Sequence, residues 1–140
     1  MALGLSRLSM VMTVLALVFA TPARADDASD IRGAIGAQLQ AFRADDGNTA
    51  FSYAAPQIQT MFGSEAMFMR MVRDGYPPVY RSSNVTFGDL TRDAEGFRQD
   101  VFMTDPNGQA WIADYRLERQ ADGSMKITGV SLRKSEDLAV

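Results

Sequence analysis

The sequence predicts an α+β fold in which N-terminal helices pack on a curved four-stranded antiparallel sheet. Three observations carry this. In the first half, Ile31, Ile35, Leu39 and Phe42 recur at helical spacing. In the second half, Trp111, Ala113, Tyr115 and Leu117 alternate with Ile112, Asp114, Arg116 and Glu118 at the period of a strand. Between the two lies Gly75-Tyr76-Pro77-Pro78-Val79-Tyr80-Arg81. Adjacent prolines lack N–H donors and fix φ, so neither a helix nor a central strand is expected to run through them. Helices first and strands second is the segregated order of an α+β domain.

Residues 1–25 have the layout of a secretory leader. Arg7 is the basic start, residues 8–20 are nearly all apolar, and Ala23-Arg24-Ala25 supplies a small-x-small cleavage pattern. The apolar run is short for a bilayer span. Cleavage after Ala25 is expected, leaving a single domain of residues 26–140 in the periplasm or secreted, with no stable membrane insertion. The chain has no cysteine, so no disulfide framework holds it. Its stability must come from one apolar core, which a domain of this size can bury.

Residues 26–29 read as an acidic, frayed start, with Asp27 or Ser29 able to cap the first helix. Ala34 and Gln38 fall on the same side as its apolar stripe. Gly33 and Gly36 lie off it, and close backbone packing is one account of them. Asp45-Asp46-Gly47 ends the helix. Asn48 can cap a second helix containing Phe51, Tyr53 and Ala54. Pro56 opens another turn with Ile58, Met61 and Phe62, and Gly63 closes it. Ser64 caps a further helix, whose buried stripe is Met67, Phe68, Met71 and Val72, with Arg70 and Asp74 paired four residues apart. Gly75 suits the left-handed residue that closes it. Alternate methionines at 67, 69 and 71 can ligate Cu(I), but a helix turns Met69 away from the other two, and no histidine or cysteine joins them. Core filling is the preferred reading.

Four strands follow. The first holds Val85-Thr86-Phe87, with a bulge at Gly88 before Leu90. The second is expected over 97–104, with Phe97, Val101 and Met103 on one face and Phe102 on the other. Asp105-Pro106-Asn107-Gly108 is a hairpin signal, and Asp122-Gly123 is another turn. In the last strand Ile127 and Gly129 share one face, and Val130 and Leu132 the other, with a bulge or twist at Gly129. Residues 135–140 read as a loose polar tail.

Residues 39–46 (LQAFRADD), 71–81 (MVRDGYPPVYR) and 110–115 (AWIADY) resemble the exported bacterial family called domain of unknown function 4864. The resemblance covers nearly all of residues 31–132. The element order is also similar to the cone of the nuclear-transport-factor-like and cystatin-like superfamily. The family implies a fold and an exported location. It carries no assigned activity and no catalytic residues.

Composition excludes more than it selects. Without Arg7 and Arg24, 12 basic side chains face 17 acidic ones, a net charge of −5. No nucleic-acid partner is expected for such a balance. Without histidine or cysteine there is no Ser-His-Asp or Cys-His arrangement and no usual zinc site, and no cofactor or metal is expected. Three readings remain. A ligand pocket would use Tyr76, Tyr80, Arg81, Trp111, Tyr115 and Asp100 around a concave sheet. An enzyme would use Asp100 or Asp114 as base, with tyrosine hydroxyls on an oxyanion and Arg81 on a carboxylate. A homodimer would pair through the outer sheet face at Ile112 and Phe102. A small-molecule-binding or accessory module is preferred over an enzyme.

Overall fold

The computed structural model describes Gly4 and residues 23–136. The body of the expected leader therefore lies outside the described residues. Helix α1 runs Ala23–Arg43, so residues expected to fray are already helical. Asp27 caps nothing here. Its carboxylate instead accepts from Arg119 at 2.6 Å, and Asp30 joins it at 3.0 Å, tying the start of α1 to the far end of the sheet. Ile31, Ile35, Leu39 and Phe42 are at most 1 % exposed, and Ala34 and Gln38 are buried with them. A Cβ on Gly33 or Gly36 would meet nothing within 4 Å, so close backbone packing does not explain those glycines.

Helix α2, Gly47–Ser52, is capped by Asp46 rather than Asn48, through Thr49 N–H donating to Asp46 Oδ1 at 3.1 Å. Tyr53 and Ala54 leave the helix. Ala54 forms a parallel bridge to Ile127. Helix α3, Pro56–Phe62, begins on its proline and ends on Gly63 at φ 75°. Helix α4, Glu65–Gly75, is capped by Ser64, whose Oγ accepts from Met67 N–H at 3.2 Å. Phe68 and Val72 are buried as the spacing predicts, but Met67 is 50 % exposed. Met67 sits in the first turn beside the Ser64 cap, where the helix end still faces water. Asp74 pairs with Arg73 at 3.3 Å, not with Arg70.

The proline pair is itself helical. Pro77–Tyr80 is a single turn, α5. Its prolines occupy the first two helical positions, where backbone N–H groups have no intrahelical partner and a fixed φ is already suitable. Gly75 stays inside α4, and Tyr76 at φ −133° joins the two helices. A helix therefore ends and restarts here without a left-handed residue.

Strands β1 (Ser83–Asp93), β2 (Gly96–Thr104), β3 (Ala110–Arg119) and β4 (Met125–Lys134) form an antiparallel meander in the order β1-β2-β3-β4. The α+β fold, helices on one face of a curved sheet, is as the sequence predicts. The inner rows pair Phe97 with Leu117, Gln99 with Tyr115, Val101 with Ala113 and Met103 with Trp111. The β1 register shifts between Phe87 and Leu90, at the expected Gly88 bulge. In β4, Arg116 pairs with Gly129 and Leu117 with Ile127, which leaves Thr128 as an inserted residue. That bulge resets the alternation. Val130 and Leu132 return to the core face with Ile127, instead of lying opposite it.

Leu→Ala-type deletions in a core of this kind cost about 2–5 kcal/mol. Ile35→Ala is expected to lower unfolding free energy by that amount in urea titration. Gly33→Ala is expected to raise it by up to about 1 kcal/mol, because the helix gains propensity and no neighbour is touched.

Candidate functional site

Between the helices and β4 lies a cavity of about 440 Å³. Each wall comes from a different element: Gln38 and Phe42 of α1, Ile58, Met61 and Phe62 of α3, Phe68, Met71 and Val72 of α4, and Val79 of α5. Tyr76 closes one side, while Ala54, Ile127, Gly129 and Val130 form the floor. Local sequence explains the space. Ala54 and Gly129 supply backbone without bulk, and the β4 bulge brings Val130 back toward the helices. Phe68 stands at the centre of an aromatic wall, 5.9 Å from the ring of Phe42 and 5.9 Å from Phe62 edge to face. Met61, 68 % exposed, stands at the rim. Among the described residues, no lining side chain is charged, and the polar ones are Gln38 and Tyr76. The size lies within the range of small-molecule pockets.

The segment around the prolines has two sides. Its inner side, Tyr76 and Val79, faces the cavity. Its outer side is an anchor. Arg81 Nη2 donates to both oxygens of Asp45, at 2.9 and 3.0 Å, and Nη1 donates to the Phe42 carbonyl. Tyr80 OH donates to the same Asp45 carboxylate, and the Arg81 guanidinium lies 4.1 Å from the Tyr80 ring centroid. Arg43 adds a bond to Ser82 Oγ at 2.9 Å. The Tyr80 hydrogen bond, and then Arg81, hold the Asp45 carboxyl below the usual range, and the same bond raises the Tyr80 hydroxyl.

The family described as Domain of unknown function (DUF4864) matches residues 24–140. The chain belongs to this family. No curated protein and no solved structure matches it. Among the described residues of this DUF4864 chain, no helix is long and apolar enough to cross a membrane. Among them, no group of three His, Cys, Asp or Glu side chains is placed to hold a metal ion.

Of the six residues the sequence singles out, Tyr76 lines the cavity. Tyr80 and Arg81 belong to the anchor. Trp111 is half-buried and donates Nε1–H to Asp105 Oδ2 at 2.9 Å, while Asp105 Oδ1 accepts from Asn107 and Gln109 N–H. The indole thus braces the β2–β3 turn. Tyr115 is wholly buried on the inner face, and its hydroxyl has no partner among the described residues. Burial pushes that hydroxyl far up. Asp100 lies on the outer face, opposite Asp114, which is ion-paired to Arg98. Each of the two aspartates has one sealed oxygen without a partner. They are separated from the cavity by the sheet, so no carboxylate is brought to it. Ile112 is 8 % exposed and Phe102 half-buried on that outer face.

Gln38 lines the cavity but is not among the six residues expected there. A glutamine inside the apolar stripe of α1 was visible in the spacing. Its buried amide donates to Ala50 O at 3.1 Å. The other walls come from elements distant in sequence.

Two expectations follow from these contacts. Asp45 sits at φ 54°, a conformation asparagine tolerates, so Asp45→Asn isolates the charge. A depressed carboxyl contributes stability above its ordinary pKa and loses it as the pH falls through the folded value. The variant should be less stable than wild type at pH 7, and urea midpoints should converge below about pH 4. An undiminished gap at pH 3 would exclude the charge as its cause. Tyr115→Phe removes a buried hydroxyl without a partner and is expected to hold or raise stability by about 1 kcal/mol, read from urea unfolding. A comparable loss would reveal a partner for that hydroxyl.

Proposed function

We propose that this protein is an exported small-ligand-binding module of the cone-shaped nuclear-transport-factor-like and cystatin-like type. The observation that carries the reading is the apolar cavity of about 440 Å³ walled by α1, α3, α4, α5 and β4. The leader-like pattern of residues 1–25 supports the exported location. The order of helices followed by a curved antiparallel sheet supports the superfamily.

The chemistry of the lining favours binding over catalysis. A general acid or base must reach within hydrogen-bond distance of its substrate. Asp100 and Asp114 stand on the opposite sheet face, and among the described residues no carboxylate, lysine or arginine lines the cavity. Apolar burial can hold a ligand here, while two polar side chains orient it.

A solvatochromic dye such as Nile red tests the reading. Wild-type protein is expected to bind it saturably, one dye per chain. Val130→Trp places an indole in the void and should weaken binding at least about tenfold, with an unchanged circular dichroism spectrum. Dye binding that is absent in wild type, or undiminished in the folded variant, sinks the proposal.

A further inference from the structure

Gln38 is 3 % exposed and lines the cavity. The Ala50 carbonyl can only accept, so the end of the Gln38 amide that meets it at 3.1 Å must be the NH₂. This fixes the side chain's orientation and turns Oε1 away from Ala50. Among the described residues, Oε1 receives no hydrogen bond. The sealed side-chain atoms without partners among the described residues are Gln99 Oε1, Asp100 Oδ1, Asp114 Oδ1 and Tyr115 OH, and Gln38 Oε1 is not one of them. It therefore keeps accessible surface on a residue that is almost wholly buried, and the space beside that residue is the cavity.

We infer that the cavity selects a neutral, largely apolar molecule bearing a hydroxyl or N–H donor for Gln38 Oε1. This deepens the ligand-binding reading above and rests on it. An amide oxygen accepts and cannot donate, so it rewards a donor and opposes an anionic oxygen. Among the described residues, no arginine or lysine lines the cavity to compensate a carboxylate or phosphate. An unpaired charge moved into such a lining is strongly disfavoured. Arg81, the cation nearest in sequence to the lining residue Val79, is already committed to Asp45 and Phe42. Phe42, Phe62 and Phe68 supply flat apolar surface for the body of the ligand, and Met61 and Met71 are deformable enough to close around it. The Tyr76 hydroxyl, which can donate or accept, is the second polar group on the lining. A site with a buried acceptor discriminates strongly against an analogue that cannot donate, because the acceptor is then left unpaired.

Three probes of one shape separate these effects: naphthalene, 1-naphthol and 1-naphthoate, titrated by their own fluorescence at pH 7. Wild-type protein is expected to bind 1-naphthol at least about tenfold more tightly than naphthalene, and 1-naphthoate more weakly than either. Gln38→Met keeps the length of the side chain and removes the acceptor. It should reduce 1-naphthol to the affinity of naphthalene while leaving naphthalene unchanged. Val130→Trp should weaken all three.

Equal binding of naphthalene and 1-naphthol by wild type would overturn the donor inference and leave the cavity reading standing. Tightest binding of 1-naphthoate would overturn it too. No binding of any probe would bring down both readings, as would binding untouched by Val130→Trp. A full preference for 1-naphthol in folded Gln38→Met would overturn the role of Gln38. If that variant fails to fold, the ratio of the three wild-type affinities decides alone.

Discussion

A sheet with one apolar face persists in water only if something covers that face, and here the covering begins with α1. Its four stripe residues are at most 1 % exposed. Burying side chains of this size contributes about 1.5–3 kcal/mol each. Every other element is placed relative to this contact. The sheet curves around the helix, and the short helices cover what α1 leaves uncovered. They do not pack flush against β4. The rings around Phe68 stand off the sheet, the small residues Ala54 and Gly129 leave the space between unfilled, and the cavity is the result.

The segment around Pro77 and Pro78 translates that packing into a position. Exposed ion pairs add little stability on their own. The bidentate Arg81–Asp45 pair therefore matters chiefly as a locator. It fixes α5 to the end of α1, and Asp45 meets it from a left-handed backbone position. With the outer side anchored, the inner side must present Tyr76 and Val79 to the cavity. Anchor and lining are two faces of one helical turn.

Periodicity made the fold readable. Spacing along α1 and alternation along β3 reflect long elements with one buried face, and both survive in the structure. Local chemistry was less decisive. Asn48 reads as the cap of α2 and Asp45-Asp46-Gly47 as a turn, but the residue that caps the helix is Asp46, through Thr49 N–H. Met67 looked like core because its spacing matched Phe68 and Val72, but a first-turn residue can point past the end of the core. In β4 the expected irregularity beside Gly129 is present, and its inserted residue, Thr128, inverts the faces that strict alternation assigns to Val130 and Leu132. The cavity was the least readable feature. A void is set by the separation of elements distant in the chain, and of the six residues expected around a pocket Tyr76 alone lines it.

The bridge between Ala54 and Ile127 has one more consequence. Ile127 N–H donates to Tyr53 O at 2.9 Å, and Ala55 N–H donates to Ile127 O at 2.8 Å. The outer backbone of β4 is thereby occupied near its start, at Ile127, by the chain's own linker. At the opposite margin, β1 is interrupted by two register shifts, carries Asn84 at φ 51°, and ends in Arg92 and Asp93. Unpaired strand margins are where folded chains recruit one another into extended assemblies. One margin here is pinned at Ile127 and the other is misshapen and charged. Both features oppose strand-to-strand pairing along a sheet that is otherwise open beside its cavity.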